Sequence, residues 1–177
     1  MEREEILYLV GQVLGLVTIA LGIISYQMKK QSNLLKFKFA GNIVKVFNEM
    51  LTGALTGTAL HTVGLLKYPI YMIRNKKGKN GIVAPIIIMV LTAITSYFTW
   101  TAWYSAFVAA GMIIHAFCMS FKDAQKVRYS LLVTSPMVIV YNAFTYNFTG
   151  IIYEIVAIIS AIIGIIRFRK EKTTESV

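Results

Sequence analysis

Glu154 stands in an apolar run of helix-spanning length, TGIIYEIVAIISAIIGIIRFRK (residues 149–170), which ends in a cluster of Arg and Lys. An earlier stretch, TGTALHTVGLLKYPIYMIRNK (residues 56–76), echoes it. Sliding one onto the other places Gly57 on Gly150, His61 on Glu154, Gly64 on Ala157 and Arg74 on Arg167. A carboxylate and an imidazole at equivalent places in two halves of a chain can form a hydrogen-bonded pair whose protonation follows pH. Two roles are open to them: a contact that clamps the halves together, or polar groups that face a central cavity, bind a solute and couple its passage to protons.

More polar residues crowd the segment FKFAGNIVKVFNEML (residues 37–51), where Asn42, Lys45 and Glu49 lie at i, i+3 and i+7 and share a helical face, with Asn48 beside it. Ionisable groups at membrane depth are costly and face a bundle interior, a cavity or one another. This face reads either as a Lys45–Glu49 pair with Glu49 at the outer interface or as the polar wall of a solute path. Asn142 answers Asn48 once one residue of extra offset is allowed. His115 reads first as a helix-packing residue and second as a ligand. Metal binding needs His61, His115 and Glu154 to converge without any local HxxxH or HxxE spacing, so neither a metal nor another cofactor is expected. GxSxG, HExxH, P-loop and DxD motifs are absent from the sequence, which argues against an enzyme. The candidate solute-binding set is therefore His61, Glu154, Asn48, Asn142, Asn42, Lys45, Glu49 and His115.

The elements that must hold these residues follow from composition. Of 177 residues 56% are hydrophobic and 15% charged, and the mean hydropathy is +0.64, so the first partner of the chain is the lipid bilayer. A net charge of +10 could suggest nucleic acid. The charges sit instead in short clusters between apolar runs and form no groove interleaved with aromatics, which excludes that class. The single cysteine, Cys118, leaves no internal disulfide. The opening MEREEILYLV lacks the basic region and cleavage site of a signal peptide, so the first apolar run is expected to stay in the mature protein.

Length and hydropathy predict seven spans at about residues 6–26, 37–51, 54–73, 82–98, 102–121, 129–144 and 149–170. Gly11, Gly15, Thr18, Gly22 and Ser25 line one face of the first, where another backbone can approach. Gly111, His115 and Cys118 fall on Thr18, Gly22 and Ser25 under the same slide. Alternate loops carry Lys29, Lys30, Lys36 and Lys38, then Arg74, Lys76, Lys77 and Lys79, then Lys122, Lys126 and Arg128, while the intervening turns have no Lys or Arg. Only an odd number of spans, with the N-terminus outside and the C-terminus cytoplasmic, satisfies every loop at once. The expected fold is an all-α polytopic membrane protein built as 3+1+3: a three-helix repeat (residues 1–76), a linker helix (77–101), a second three-helix repeat (102–170) and a polar cytoplasmic tail (171–177). Lys67 is expected to snorkel to the cytoplasmic end, Pro69 to kink its helix, and Trp100 and Trp103 to join an interfacial belt or, second, a stacking surface. If the polar second segment lay on the membrane surface, six spans would remain.

The stretch GQVLGLVTIALGIISYQMKKQSNLLKFKFAGNIVKVFNEMLTGALTGTAL (residues 11–60) resembles the YgjV family of bacterial inner membrane proteins, and a weaker likeness continues to the basic C-terminus. The helix arrangement is similar to that of the MtN3/PQ-loop superfamily, which includes SWEET sugar facilitators and PnuC vitamin transporters. That resemblance implies passive movement of a small neutral or zwitterionic solute through a site lined by the third helix of each repeat, where His61 and Glu154 stand. The chain departs from the pattern in two places: Ser25-Tyr26-Gln27 replaces the Pro-Gln signature, and His61 with Glu154 replaces an asparagine pair. TWTAW reproduces the Trp-x-x-Trp spacing of PnuC-like proteins. The expectation is a SWEET-like transporter of a small polar solute in the cell membrane, with a homo-oligomer left open. The alternative is a receptor or accessory protein that transports nothing.

Overall fold

The computed structural model describes residues 3–77 and 82–174 and forms them into seven helices: α1 (Arg3–Tyr26), α2 (Gln31–Leu51), α3 (Leu55–Lys76), α4 (Val83–Phe98), α5 (Ser105–Met119), α6 (Ala124–Phe144) and α7 (Phe148–Thr174). The described residues contain no strand, so the all-α class expected from sequence is the observed one. Helices α2 and α6 begin earlier than hydropathy predicts, because Lys36, Lys38, Lys126 and Arg128, read as loop charges, lie on helical turns. Asp123 caps α6 by accepting from the Gln125 backbone N–H at 2.8 Å. Helix α7 continues through Thr174, where a polar tail was expected. The end of that tail (residues 175–177), Glu2 and the loop holding Lys79 lie outside the described residues.

A shift of 93 residues carries Gln31 onto Ala124 and Leu51 onto Phe144, so α2 and α6 have equivalent bounds. The turns that follow are equivalent too. Gly53 (φ +78°) and Tyr146 (φ +53°) both take the left-handed conformation. Ala54 N–H then donates to Glu49 O, and Asn147 N–H to Asn142 O, both at 2.9 Å. This is the helix-ending arrangement that glycine adopts freely and that costs other residues roughly 1–2 kcal/mol. The register it imposes corrects the expected extra residue of offset between Asn48 and Asn142. Glu49 is the residue equivalent to Asn142, and Asn48 is equivalent to Tyr141.

Six helices close a ring in the order α1, α2, α3, α5, α6, α7 and back to α1, and α4 packs outside it against α3 and α5. The distribution of side chains is inverted relative to a water-soluble domain. Among the described residues 25 polar or charged side chains are buried against 21 apolar ones, whereas Leu9, Val13 and Leu16 on α1, Ile86, Ile87 and Val90 on α4, and Ile155, Ile159 and Ile163 on α7 are exposed. Such a surface suits hydrocarbon. Two helices, Glu5–Tyr26 and Phe148–Phe168, are long and apolar enough to be read as spans on length and composition alone. Helices α2, α3 and α6 fall short because their polar faces point into the ring. The alternative of a surface-lying second segment does not describe α2, which packs between α1 and α3 with Lys38, Lys45, Asn48 and Glu49 all buried.

Close approach between α1 and its neighbours rests on missing side chains. A Cβ at Gly15 would come within 2.6 Å of Thr149 Oγ1, at Gly22 within 2.7 Å of the Tyr153 ring, and at Gly164 within 2.8 Å of the Tyr26 carbonyl oxygen. At Gly41 the nearest atom is Leu21 Cβ at 3.4 Å, an ordinary contact. Thermal unfolding in detergent should show Gly164→Ala destabilised by about 1–3 kcal/mol through overpacking. Gly41→Ala should be neutral or gain up to about 1 kcal/mol from helix propensity.

Candidate functional site

The ring encloses a cavity of about 50 Å³, and every ring helix contributes to its wall: α1 through Thr18 and Tyr26, α2 through Lys38, Asn42 and Lys45, α3 through His61, Lys67 and Tyr68, α5 through Met112 and His115, α6 through Leu131 and Thr134, and α7 through Tyr153 and Glu154. Helix α4 contributes no lining residue. Toward the basic loops the cavity is backed by an apolar cluster of Leu34, Leu35, Tyr68, Tyr71, Met119 and Val127. The halves are tied there by Tyr71 Oη donating to Ala116 O at 3.0 Å and Arg128 donating to Tyr26 O and Met28 O at 3.0 and 2.7 Å. Toward the other end lie Leu60, Val108, Ala109 and Tyr141, and Gly57 N–H donates to Tyr141 Oη at 2.9 Å.

Glu154 is the hub of the wall. Its Oε1 accepts from Lys45 Nζ at 3.2 Å, an ion pair between the first half and the second, and its Oε2 accepts from Ser135 Oγ at 2.6 Å. His61 is held in the equivalent way. Asn42 Nδ2 donates to the His61 carbonyl oxygen at 2.8 Å, which turns Asn42 Oδ1 toward His61 Nδ1, also at 2.8 Å. Under the 93-residue shift Asn42 corresponds to Ser135, so one contact occurs in both halves with different chemistry. Because Asn42 offers Nδ1 an acceptor, Nδ1 carries a proton. His61 Nε2 faces Glu49 Oε1 at 3.4 Å without hydrogen-bond geometry, and that approach is attractive only when a proton sits on one of the two.

His115 follows a similar logic. Ser130 Oγ donates to Val127 O at 2.8 Å, so it accepts from His115 Nδ1 at 2.9 Å, and the Nε2 lone pair receives Lys38 Nζ at 3.3 Å. Lys38 also donates to Tyr26 Oη. Each wall lysine lies against a tyrosine ring: Lys38 on Tyr26, Lys45 on Tyr153 and Lys67 on Tyr68, with Nζ 4.3, 4.6 and 5.3 Å from the ring centres. A desolvated cation–π contact is worth about 2 kcal/mol, whereas removing an ammonium from water costs several. Lys45 has a carboxylate to offset this cost, but Lys38 and Lys67 are offered dipoles and ring faces.

The structure therefore brings His61, Glu154, Asn42, Lys45 and His115 onto one wall and sets Asn48, Asn142 and Glu49 apart from it. Asn48 Nδ2 donates to Gly11 O at 2.7 Å. The Glu49 carboxylate covers Gly57, and the Asn142 amide covers Gly150 at the equivalent place. Three expectations are corrected here. His61 and Glu154 do not bond each other, since each is claimed by the second helix of its own half and Glu154 by Lys45 as well. Glu49 does not reach an interface but is 1% exposed. Lys67 does not snorkel; it is 2% exposed, because it shares the α3 face of His61 and Gly64. Sequence reasoning missed Lys38, Lys67, Ser135 and the three tyrosines. The signal for Lys38 was present, since it lies four residues before Asn42 and seven before Lys45, on the same face.

Removing one partner of a buried pair strands the other charge. Glu154→Gln should lower unfolding stability by about 3 kcal/mol, and the double variant Lys45→Met/Glu154→Met should recover most of that loss in a thermal double-mutant cycle.

Neither a curated protein sequence nor a solved structure matches the chain. The model of one protein family, Imp-YgjV, described as a bacterial inner membrane protein, matches residues 9–172 and so runs from α1 into the last turn of α7. The inverted distribution of polar and apolar side chains is the physical counterpart of that match, and the chain belongs to the YgjV family of bacterial inner membrane proteins.

Proposed function

We propose that the protein moves a small polar solute across the inner membrane through the cavity between its two halves. The observation that carries this reading is a polar cavity walled by three helices of each half, inside a bundle whose outer face is apolar. The Lys45–Glu154 pair alone would suffice for a structural clamp, whereas Lys38 and Lys67 on the same wall have no carboxylate partner among the described residues, and a solute path needs polar groups where lipid would otherwise exclude the solute. The halves, α1–α3 and α5–α7 with α4 between them in the chain, rock against each other about the glycine contacts of α1, opening one end of the cavity at a time. In the present conformation the space between the halves is about 50 Å³, room for a few waters rather than a sugar, so passage of a solute requires the halves to move apart. The resemblance of the sequence to SWEET-type facilitators supports passive transport between repeats.

Charge placement supports an outside N-terminus and a cytoplasmic C-terminus. A second reading, a receptor or accessory protein without flux, is favoured by the pairing of Glu154 with Lys45 and Ser135, which is what a structural clamp requires.

Counterflow in proteoliposomes against labelled sugars, amino acids and small organic acids separates the two readings. Transport predicts saturable counterflow of at least one class, lost in the folded double variant Lys45→Met/Glu154→Met. Absence of counterflow from every class, with a stoichiometric partner copurifying, would establish the accessory reading. For topology, green fluorescent protein fused after residue 174 should fluoresce, and alkaline phosphatase fused after Phe98 should be active.

A further inference from the structure

Resting on the transport reading, we infer that the solute is a small oxyanion, of the carboxylate or nitrate type, held between Lys38 and Lys67. The wall of the cavity carries three lysines and one carboxylate. Lys45 is matched by Glu154 at 3.2 Å. Lys38 donates to a tyrosine hydroxyl and approaches His115 Nε2, and Lys67 lies over Tyr68; neither has a carboxylate within ion-pair distance among the described residues. The other buried carboxylate nearby, Glu49, stands behind His61 and over Gly57 and is not part of the wall. Even if Glu49 is counted, there is one lysine more than there are carboxylates.

Side chains 8% and 2% exposed cannot take their compensation from bulk water. Neutral dipoles and ring faces offset part of the cost, and an anion inside the cavity would offset the remainder and keep both lysines protonated, where an empty cavity favours the loss of a proton. Size restricts the choice. A volume of about 50 Å³, at 10–15 Å³ for each water, admits roughly three to five non-hydrogen atoms. A formate, acetate or nitrate ion fits that size and offers oxygen acceptors to more than one ammonium. The two halves are unequal in the required sense: the 93-residue shift carries Lys38 to Leu131 and Lys67 to Ser160, so the cations come from one half and the wall carboxylate from the other. Glu154 can then release Lys45 toward the anion or hold it back.

The test is thermal stability of the purified full chain in gluconate buffer, titrated with sodium formate, sodium nitrate, glycerol, urea and glycine. Formate or nitrate should raise the melting temperature with saturation. The apparent dissociation constant should weaken about tenfold or more in Lys67→Gln and be largely retained in Lys67→Arg. If Lys67→Gln does not fold, wild-type proteoliposomes decide: nitrate uptake should reverse direction with the sign of an imposed potassium diffusion potential. Saturable stabilisation by glycerol, urea or glycine without any by the anions would overturn the inference and leave transport standing. An anion effect that neither saturates nor changes in Lys67→Gln is a general salt effect and also overturns it. No stabilisation and no flux with any compound would remove the transport reading along with it.

Discussion

Charge buried inside a bundle that presents hydrocarbon outward must find its partner within the bundle, because neither lipid nor bulk water can supply one. Lys45 and Glu154 meet this condition across the seam between the halves, at 3.2 Å with both side chains almost wholly buried. Ser135 occupies the second carboxylate oxygen, and Tyr153 covers the ammonium. The pair joins the second helix of one half to the third helix of the other. The pair therefore fixes how the halves face each other and places the cavity between them.

The duplicated backbone shows how such a site arises from equivalent parts. The bounds of α2 and α6, the left-handed turn at Gly53 and Tyr146, and the clasp of the third helix by the second are shared under one shift. The chemistry placed on that frame is not shared. His61 with Asn42 is answered by Glu154 with Ser135, and Glu49 by Asn142, while two of the lysines are answered by Leu131 and Ser160. Backbone symmetry supplies two similar halves, and the side chains set on them place the wall lysines in one half and the wall carboxylate in the other.

The second helix of each half matters more than a reading centred on the third helices allows. Helix α2 lies in the middle of its half, between α1 and α3, so its face at Lys38, Asn42 and Lys45 looks toward the centre of the ring. Its low apolar content, which made it a doubtful span, is the result of that position. A ring helix can hold lysines on its inward face that α4, packed outside the ring, could not.

By itself the sequence determined the helical class, the count of seven, the repeat and the identity of the interior residues His61, Glu154, Asn42, Lys45 and His115, because hydropathy, small-residue spacing and rare polar groups in apolar runs are local signals. It also carried the family likeness. The tertiary structure decided which polar groups meet. That His61 turns to Asn42 and Glu49, that Glu154 takes Lys45 and Ser135, and that Lys38 and Lys67 point inward depend on helix rotation and on contacts such as Lys45 with Glu154, 109 residues apart. The one-residue error in matching Asn48 to Asn142 has the same origin. Similar dipeptides suggested a register locally, whereas the hydrogen bonds that end α2 and α6 set it. Periodicity states that a face is polar; packing energy alone chooses the partner on the other side.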